Sequence, residues 1–258
     1  MAAPAEEKYT VEHMLSVHRW TDTLLSFRMS RPAGFRFTPG QFARLGLPSG
    51  QGFVWRAYSM VNAVWDDELE FLSIVVPDGE FTSRLSRLSA GDDILLDKRA
   101  NGFFTLDRFV DGQDLWLLGT GTGLAPYLSI LREPSVWSRF DTLTLVHSVR
   151  TAAELAYRDE IAALRDHPLW AEHGHKLHYQ PVVTRELHPG CLSARLPVLL
   201  ANGELEQATG RLLTPERARI MICGNPQMVE DTHRQLISMG YRLSRLTAPG
   251  QLALENGF

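Results

Sequence analysis

The sequence predicts a two-domain protein: an antiparallel β-barrel followed by an α/β domain with a doubly wound, parallel, five-stranded sheet. Three observations carry this prediction. Six short segments rich in β-branched and aromatic residues follow one another in the first hundred residues. Apolar strand patterns then alternate with helical patterns to the end of the chain. The length of 258 residues suits one large domain or two small ones.

The first half is predicted to be β structure with one helix. Turn-forming sequences such as Pro77-Asp78-Gly79 separate the strand segments, and their regular spacing is typical of an antiparallel barrel. The helix is predicted over 81–89, where Phe81, Leu85 and Leu88 share a face. The predicted strands are 8–18, 21–30, 41–48, 54–61, 69–77 and 92–97.

The second half changes to strand–helix alternation. Thr151 and Glu154 have the spacing of a capping box. The change of pattern falls in the loop 98–113, so we place a barrel domain at 1–101 and an α/β domain at 102–258. The predicted strands are 114–118, 142–147, 177–183, 219–222 and 241–247, and the predicted helices are 124–132, 152–165, 192–202 and 225–239.

Composition excludes several classes of protein. With 44% hydrophobic and 22% charged residues the chain is ordinary and globular, and a net charge of −4 argues against nucleic-acid binding. Neither a membrane span nor a secretion signal is recognisable, so we expect a cytoplasmic protein. Two cysteines, Cys191 and Cys223, exclude a disulfide scaffold and an on-chain iron–sulfur cluster. The histidines lack metal-site spacing, so no metal is expected.

A glycine-rich turn is the strongest local signal. It directly follows the strand at 115–118 and opens a helix, where backbone N–H groups and the positive helix end favour an anion. Leu124 stands where a dinucleotide GxGxxG pattern needs its third glycine, and no Walker lysine follows. The turn consists of Gly119, Thr120, Gly121, Thr122 and Gly123.

The carboxyl ends of the other predicted strands carry further candidates. Ligands of open parallel sheets bind beyond these ends. An NAD-binding protein would prefer an acid after the second strand, but Ser148 and Arg150 stand there, which suits a 2′-phosphate. Arg185 follows the third strand, with Arg195 ten residues on, and Cys223-Gly224 ends the fourth.

Two patterns in the first half are ambiguous by themselves. Arg56-Ala57-Tyr58-Ser59 places polar side chains in one barrel strand, which fits a ligand site or simple exposure on the solvent face. Thr82 and Ser83 lie in the first turn of the lone helix, where they bind a ligand or cap the helix.

Taken together and in this order, the motifs resemble the bacterial branch of the ferredoxin–NADP reductase family. The likeness runs over nearly the whole chain and implies an FAD-binding barrel and an NADP(H)-binding domain. By this resemblance, the FAD-binding residues would be Arg56, Ala57, Tyr58, Ser59, Phe81, Thr82, Ser83 and Phe258. The NADP-binding residues would be Gly119, Thr120, Gly121, Thr122, Gly123, Ser148, Arg150, Arg185, Arg195 and Gly224. Glu80 and Phe81 depart from the Pro-Leu common in relatives.

The resemblance also implies an activity. A hydride would move between NADPH and the flavin beside Ser59, Cys223 and Glu255, and single electrons would pass to or from ferredoxin or flavodoxin. The C-terminal tail would return to the flavin, with Gly257 leaving its face uncovered and Phe258 packing beside it. We expect a monomer that docks an acidic carrier through basic residues of the barrel side. The candidates are Arg44, Arg84, Arg87 and Lys98.

Two other functions stay open at this point. One is an NADH-linked reductase component of an oxygenase system, although such proteins often carry an iron–sulfur domain that this chain cannot form. The other is a non-catalytic nucleotide-binding regulator. A regulator has no need for the nicotinamide end of the site, so Cys223 and Glu255 argue against it.

Overall fold

The computed structural model describes residues 8–50, 52–245 and 247–257. In this part of the chain the first sheet has six antiparallel strands in the order β4-β3-β6-β1-β2-β5. An isolated bridge links Met60, just after one edge strand, to Phe71 in the middle of the other edge strand, so the sheet curls toward a barrel. The strands are β1 (Tyr9–Arg19), β2 (Leu24–Ser30), β3 (Phe42–Ser49), β4 (Gly52–Ser59), β5 (Glu68–Ile74) and β6 (Asp93–Asp97).

Alternating residues of these strands fill the barrel. Phe27, Met29 and Phe71 are at most 1% exposed and pack with Leu45 and Leu96 from the opposite side. Helix α1 (Glu80–Leu85) closes one end through buried Phe81 and Leu85. It is shorter than predicted, because it ends with the cap at Ser86.

The second sheet is parallel, and its five strands within the described residues have the order β11-β10-β7-β8-β9. Its strands are β7 (Asp114–Thr120), β8 (Thr142–Val149), β9 (Leu177–Val183), β10 (Ala218–Gly224) and β11 (Leu252–Asn256). Successive residues of β7 face opposite cores: Leu115 and Leu117 pack on one side of the sheet, Trp116 and Leu118 on the other. The predicted fold class is therefore confirmed.

Helices cover both faces of the parallel sheet. One core takes side chains from α2, α3 and α4, and the other takes them from α5, α6 and α7. The helices are α2 (Ala125–Leu131), α3 (Pro134–Arg139), α4 (Arg158–Ala163), α5 (Leu196–Ala201), α6 (Glu204–Thr209) and α7 (Pro226–Ser238). The sequence patterns missed α3 and α6.

The prediction of a strand at 241–247 is wrong. Residues 252–256 form the fifth strand, with Leu252 and Leu254 opposite Ile220 and Ile222 of β10. The segment from Tyr241 makes only isolated bridges, such as Leu243 to Leu252. Both segments have strand-like apolar residues, and only one of them can pair with the edge of β10.

The long helix predicted over 152–165 forms only in part, as α4. Residues 152–154 form one 3₁₀ turn, and Tyr157 then adopts a left-handed conformation (φ 60°) that precludes a continuous helix. The capping box does not form, because the Thr151 hydroxyl makes no cap hydrogen bond. Helix α5 likewise starts at Leu196 rather than 192, with Pro197 in its first turn.

Polar and apolar contacts join the two sheets. The Tyr157 hydroxyl donates to Glu70 of β5 (2.8 Å), and Ser129 of α2 donates to the carbonyl of Asn62 (2.9 Å). Leu72 of the barrel belongs to the same apolar cluster as Leu128 of α2. The predicted domain boundary after residue 101 falls between β6 and β7 and stays a prediction.

Candidate functional site

Two adjoining clefts lie where the carboxyl ends of the parallel strands meet the barrel. The inner cleft has an empty volume of about 960 Å³ and runs between β4, β5 and the end of β10. The outer cleft, of about 1540 Å³, lies over the ends of β8 and β9 and the start of α7. Ile74, Thr122 and Gly257 line both clefts, so two ligands, one in each cleft, can meet beside these residues.

Tyr58 forms a rigid wall of the inner cleft. Its hydroxyl shares a hydrogen bond with Ser73 (3.0 Å), and its ring packs against Phe27, Phe71 and Phe81. Burial raises the pKa of Tyr58 to about 12, so the phenol stays neutral. The ring is thus an immobile, uncharged aromatic side of the cleft.

The other predicted barrel residues are only partly gathered here. Arg56 and Ala57 line the inner cleft, and the Arg56 guanidinium is exposed while donating to the carbonyl of Trp55 (2.8 Å). Thr82 lines it too, but its hydroxyl accepts from the N–H of Val76 (3.1 Å). Ser83 is outside the lining. Phe258 lies outside the described residues.

Ser59, Cys223 and Glu255 come together from three different strands. The Ser59 hydroxyl donates to Glu255 Oε1 at 3.3 Å, and Cys223 Sγ lies 3.9 Å from the same oxygen. Burial raises the pKa of Glu255 to about 7, despite these two hydrogen bonds. Burial and the Glu255 charge both raise the pKa of Cys223, which stays a thiol. The cluster therefore holds a proton that is exchangeable near neutral pH.

Two glycines of the turn pack so closely on their neighbours that no side chain fits there. A Cβ at Gly123 would lie 2.4 Å from the Cys223 carbonyl oxygen, and one at Gly119 would lie 2.9 Å from the Tyr127 ring. Gly224 has φ +138° and no room beside Thr120. Residues 121–124 form a 3₁₀ turn that leads directly into α2. These glycines allow the turn to lie against the strand end that carries Cys223.

His147 supports the same turn and was missed by the sequence analysis. It is 1% exposed, and its Nε2 lies 3.2 Å from the carbonyl oxygen of Gly121. Because a carbonyl only accepts, Nε2 must carry the proton. Burial lowers the pKa of His147 to about 4, so the ring is neutral. Its only signal in the sequence was its place at the end of an apolar strand.

The outer cleft gathers the predicted phosphate-binding residues. Ser148, Arg150, Arg185 and Arg195 all line it, together with Thr184. Arg185 and Arg195 form no ion pair with any described residue, whereas Arg150 is paired with Glu154. Asn225 caps α7 by accepting from two of its backbone N–H groups. Three guanidinium groups in one cleft favour a strongly anionic ligand.

Several lining residues had escaped the sequence analysis. Ser73 and Ile74 come from β5, whose pattern indicated only a strand, and Gln227 lies on the first turn of α7. Glu154 carried a usable signal, since it stands four residues from Arg150. The described residues hold no group of three or more His, Cys, Asp or Glu placed for a metal ion. Among them, no helix is long and apolar enough to cross a bilayer.

Comparison with known proteins gives a consistent set of relatives. Residues 117–234 match the oxidoreductase NAD-binding domain family. The chain is 41% identical to the ferredoxin–NADP reductase of Pseudomonas aeruginosa over 96% of both chains. It is 40% identical to the flavodoxin/ferredoxin–NADP reductase of Rhodobacter capsulatus, over 99% of this chain and 96% of that one.

A solved structure extends the likeness to three dimensions. The crystal structure of a ferredoxin NADP⁺ reductase from Neisseria gonorrhoeae with bound FAD and NADP superposes with a TM-score of 0.92. Its sequence is 47% identical, and the match covers 98% of this chain and 100% of that chain. The cytochrome b5 reductase domain of Ulva prolifera nitrate reductase, at 17% identity and a TM-score of 0.72, shares the fold alone.

Proposed function

The chain belongs to the ferredoxin–NADP reductase family, and from this we propose that it is an FAD-dependent oxidoreductase exchanging electrons between NADP(H) and a one-electron carrier of the ferredoxin or flavodoxin type. The observation that carries the proposal is the gathering of Ser59, Cys223 and Glu255 in the inner cleft, beside Gly257, which lines both clefts. A site that only bound a nucleotide would not need this cluster.

The inner cleft fits FAD. It offers one flat aromatic wall, Tyr58, and polar groups at its rim. Arg56 would supply positive charge for the pyrophosphate, with Thr82 beside it. Ser59 would lie next to the ring system, since its hydroxyl points to the cluster with Glu255. Gly257 donates its N–H to Gly224 (2.6 Å) and brings no side chain into the cleft.

The outer cleft fits NADP(H). The glycine turn would face the pyrophosphate with backbone N–H groups at the start of α2. Arg150, Arg185 and Arg195 would hold the 2′-phosphate at the far corner. The nicotinamide end would then reach Cys223, whose neutral thiol is small and buried.

FAD, when bound, supplies hydride acceptance and single-electron release, which no amino-acid side chain here could provide. The chain positions the reactants and controls one proton. Tyr58 and the glycine turn form fixed surfaces of the inner cleft. Glu255 takes up or releases a proton near neutral pH.

A direct kinetic comparison tests the proposal. The purified protein should bind FAD and be yellow, and NADPH should bleach it much faster than NADH in a stopped-flow instrument. An Arg150→Ala variant should bind NADPH with roughly ten- to a hundredfold lower affinity, because a charge-assisted hydrogen bond to the phosphate is gone. Its affinity for NADH should change little. Equal rates with both nucleotides would favour an NADH-linked reductase instead.

The carrier is tested separately. Reduced protein should pass electrons to an added ferredoxin or flavodoxin at a rate that falls as salt rises, because screening weakens the steering of an acidic partner. Bleaching by NADPH without electron transfer to either carrier would leave the oxidoreductase intact and remove this partner class.

A further inference from the structure

A carboxylate stands among the cations of the outer cleft. Glu154 lies in the 3₁₀ turn after β8, and its side chain is only 15% exposed. Its Oε2 accepts the backbone N–H of Arg150 (2.9 Å). Its Oε1 accepts from Nε (2.9 Å) and Nη2 (2.5 Å) of the same residue. One carboxylate thus holds both the main chain and one edge of the guanidinium.

The turn that carries Glu154 is itself fixed. Glu186 Oε1 accepts the N–H of Ala152 (2.6 Å), and the N–H of Arg185 donates to the carbonyl of Arg150 (2.9 Å). The loops that bear Arg150 and Arg185 are therefore tied to each other. These hydrogen bonds hold the turn that carries Glu154 in place beside Arg150.

The contacts of Glu154 leave most of the guanidinium available. The edge formed by Nε and Nη2 faces the carboxylate, while Nη1 forms no hydrogen bond with the described residues. The Arg150 side chain is 46% exposed, so this free part is open to the cleft. Burial alone would raise the pKa of Glu154, but the hydrogen bonds from Arg150 hold it below its usual range.

Two effects of Glu154 on a bound phosphate oppose each other. Its negative charge repels the phosphate. Its hydrogen bonds remove the freedom of a long side chain before the ligand arrives, so less entropy is lost on binding. The charge of Glu154 is already balanced by the guanidinium that it contacts, and Arg185 and Arg195 form no ion pair with described residues. Ordering of Arg150 should therefore outweigh repulsion.

We propose that Glu154 is a specificity-determining positioning residue, which holds the Arg150 guanidinium in place for the 2′-phosphate and so favours NADP(H) over NAD(H). The inference rests on the proposed function of the outer cleft. Glu154 acts through Arg150 and does not contact the nucleotide.

Binding of nucleotide fragments tests this without turnover. Calorimetry of the FAD-containing protein would compare adenosine 2′,5′-bisphosphate, which carries the 2′-phosphate, with 5′-AMP, which lacks it. Glu154→Ala should weaken the bisphosphate about three- to tenfold, the effect of freeing one long side chain. Binding of 5′-AMP should change less than about twofold. Glu154→Gln, which loses the charge, should also weaken the bisphosphate.

Two further variants separate a role through Arg150 from a general one. In an Arg150→Ala background, Glu154→Ala should leave the bisphosphate-to-AMP affinity ratio unchanged. Glu230→Ala is a matched control, because Glu230 pairs with Arg234 at the same i,i+4 spacing (2.7 Å) on α7, outside the outer cleft. It should not alter either affinity.

The outcomes are distinguishable. If the unmodified protein binds both fragments equally, the proposed NADP(H) site fails and the role of Glu154 with it. If it prefers the bisphosphate and Glu154→Ala keeps that preference, only the role of Glu154 is overturned. Tighter bisphosphate binding by either Glu154 variant would mean that repulsion dominates, and equal weakening of both fragments would mean general loop support. Either result overturns the proposal.

Discussion

Single residues in this protein owe their properties to burial more than to their neighbours in sequence. Glu255, Cys223 and His147 all have shifted pKa values for which burial is the largest cause. In each case burial favours the neutral form of the side chain.

Glu255 should make the protein less stable as pH rises. Its pKa in the folded chain is raised from 4.5 to about 7, so between these values the folded chain keeps a proton that the unfolded chain releases. Stability is therefore highest at low pH in this window and falls until about pH 7. In Glu255→Gln the free energy of unfolding does not fall in this way. Relative to the unmodified protein it should rise by roughly 2–3 kcal/mol between pH 4.5 and 8. Urea unfolding with saturating FAD at several pH values measures the difference, and a constant difference would contradict it.

At the scale of elements, the site depends on how closely the glycine turn approaches β10. The three glycines of the turn are not equivalent. A side chain at Gly123 meets the backbone of Cys223 and Gly224, whereas one at Gly121 meets nothing within 4 Å. Gly121 is needed for its left-handed conformation (φ +54°), and Gly123 for its proximity to the strand.

These two glycines should therefore respond differently to alanine. Gly123→Ala forces the turn away from Cys223 and should lower the free energy of unfolding by about 1–3 kcal/mol, with a clear loss of nucleotide affinity. Gly121→Ala should lower the free energy of unfolding by about 1–2 kcal/mol through its backbone conformation alone. It should retain most of the nucleotide affinity. Thermal unfolding and titration with 5′-AMP compare the two. Equal losses of affinity would show that proximity to β10 is not the deciding factor.

At the scale of the whole molecule, the two sheets are held as one unit by contacts beside the clefts. The Tyr157 hydroxyl bonds to Glu70 across the interface, and burial raises the pKa of Tyr157, which keeps it a donor. Arg132 of the loop after α2 donates to the carbonyl of Val61 (2.8 Å). Because the inner cleft is built from both sheets, its shape depends on this interface.

Removing the Tyr157 hydroxyl should weaken the whole molecule. Tyr157→Phe leaves the Glu70 carboxylate without its nearest buried donor and should lower the stability by about 1–3 kcal/mol. Tyr241→Phe is the control, because that buried hydroxyl has no hydrogen-bond partner among the described residues. It should be nearly neutral. Unfolding curves that shift equally for the two variants would argue against the interface bond.

The proposed docking of an electron carrier also depends on the surface of the whole molecule. Of the predicted basic residues, Arg84 pairs with Glu80 (3.6 Å) and Arg44 lies 4.0 Å from Asp97. Arg87 and Lys98 form no ion pair with a described residue. Reversing both charges in Arg87→Glu/Lys98→Glu should slow reduction of an acidic carrier by about tenfold at low salt. Arg84→Glu should slow it less. A larger effect of Arg84→Glu than of the double variant would assign docking to another surface.

The sequence by itself determined the fold class, ten of the eleven strands found in the described residues, and the candidate residues at the strand ends. These features depend on local chemistry: alternation of apolar residues, glycines that permit a tight turn, and polar residues that directly follow apolar strands. The i,i+4 spacing of Arg150 and Glu154 was equally local, although their ion pair became clear only from the structure.

Only the tertiary structure decided which C-terminal segment joins β10, and that Ser59 meets Glu255 across 196 residues of chain. It also decided that His147 supports the glycine turn and that Glu255 titrates near pH 7. The physical reason is the same in each case. Strand pairing and desolvation depend on which distant residues cover a group, and the pattern of its neighbours along the chain does not specify them.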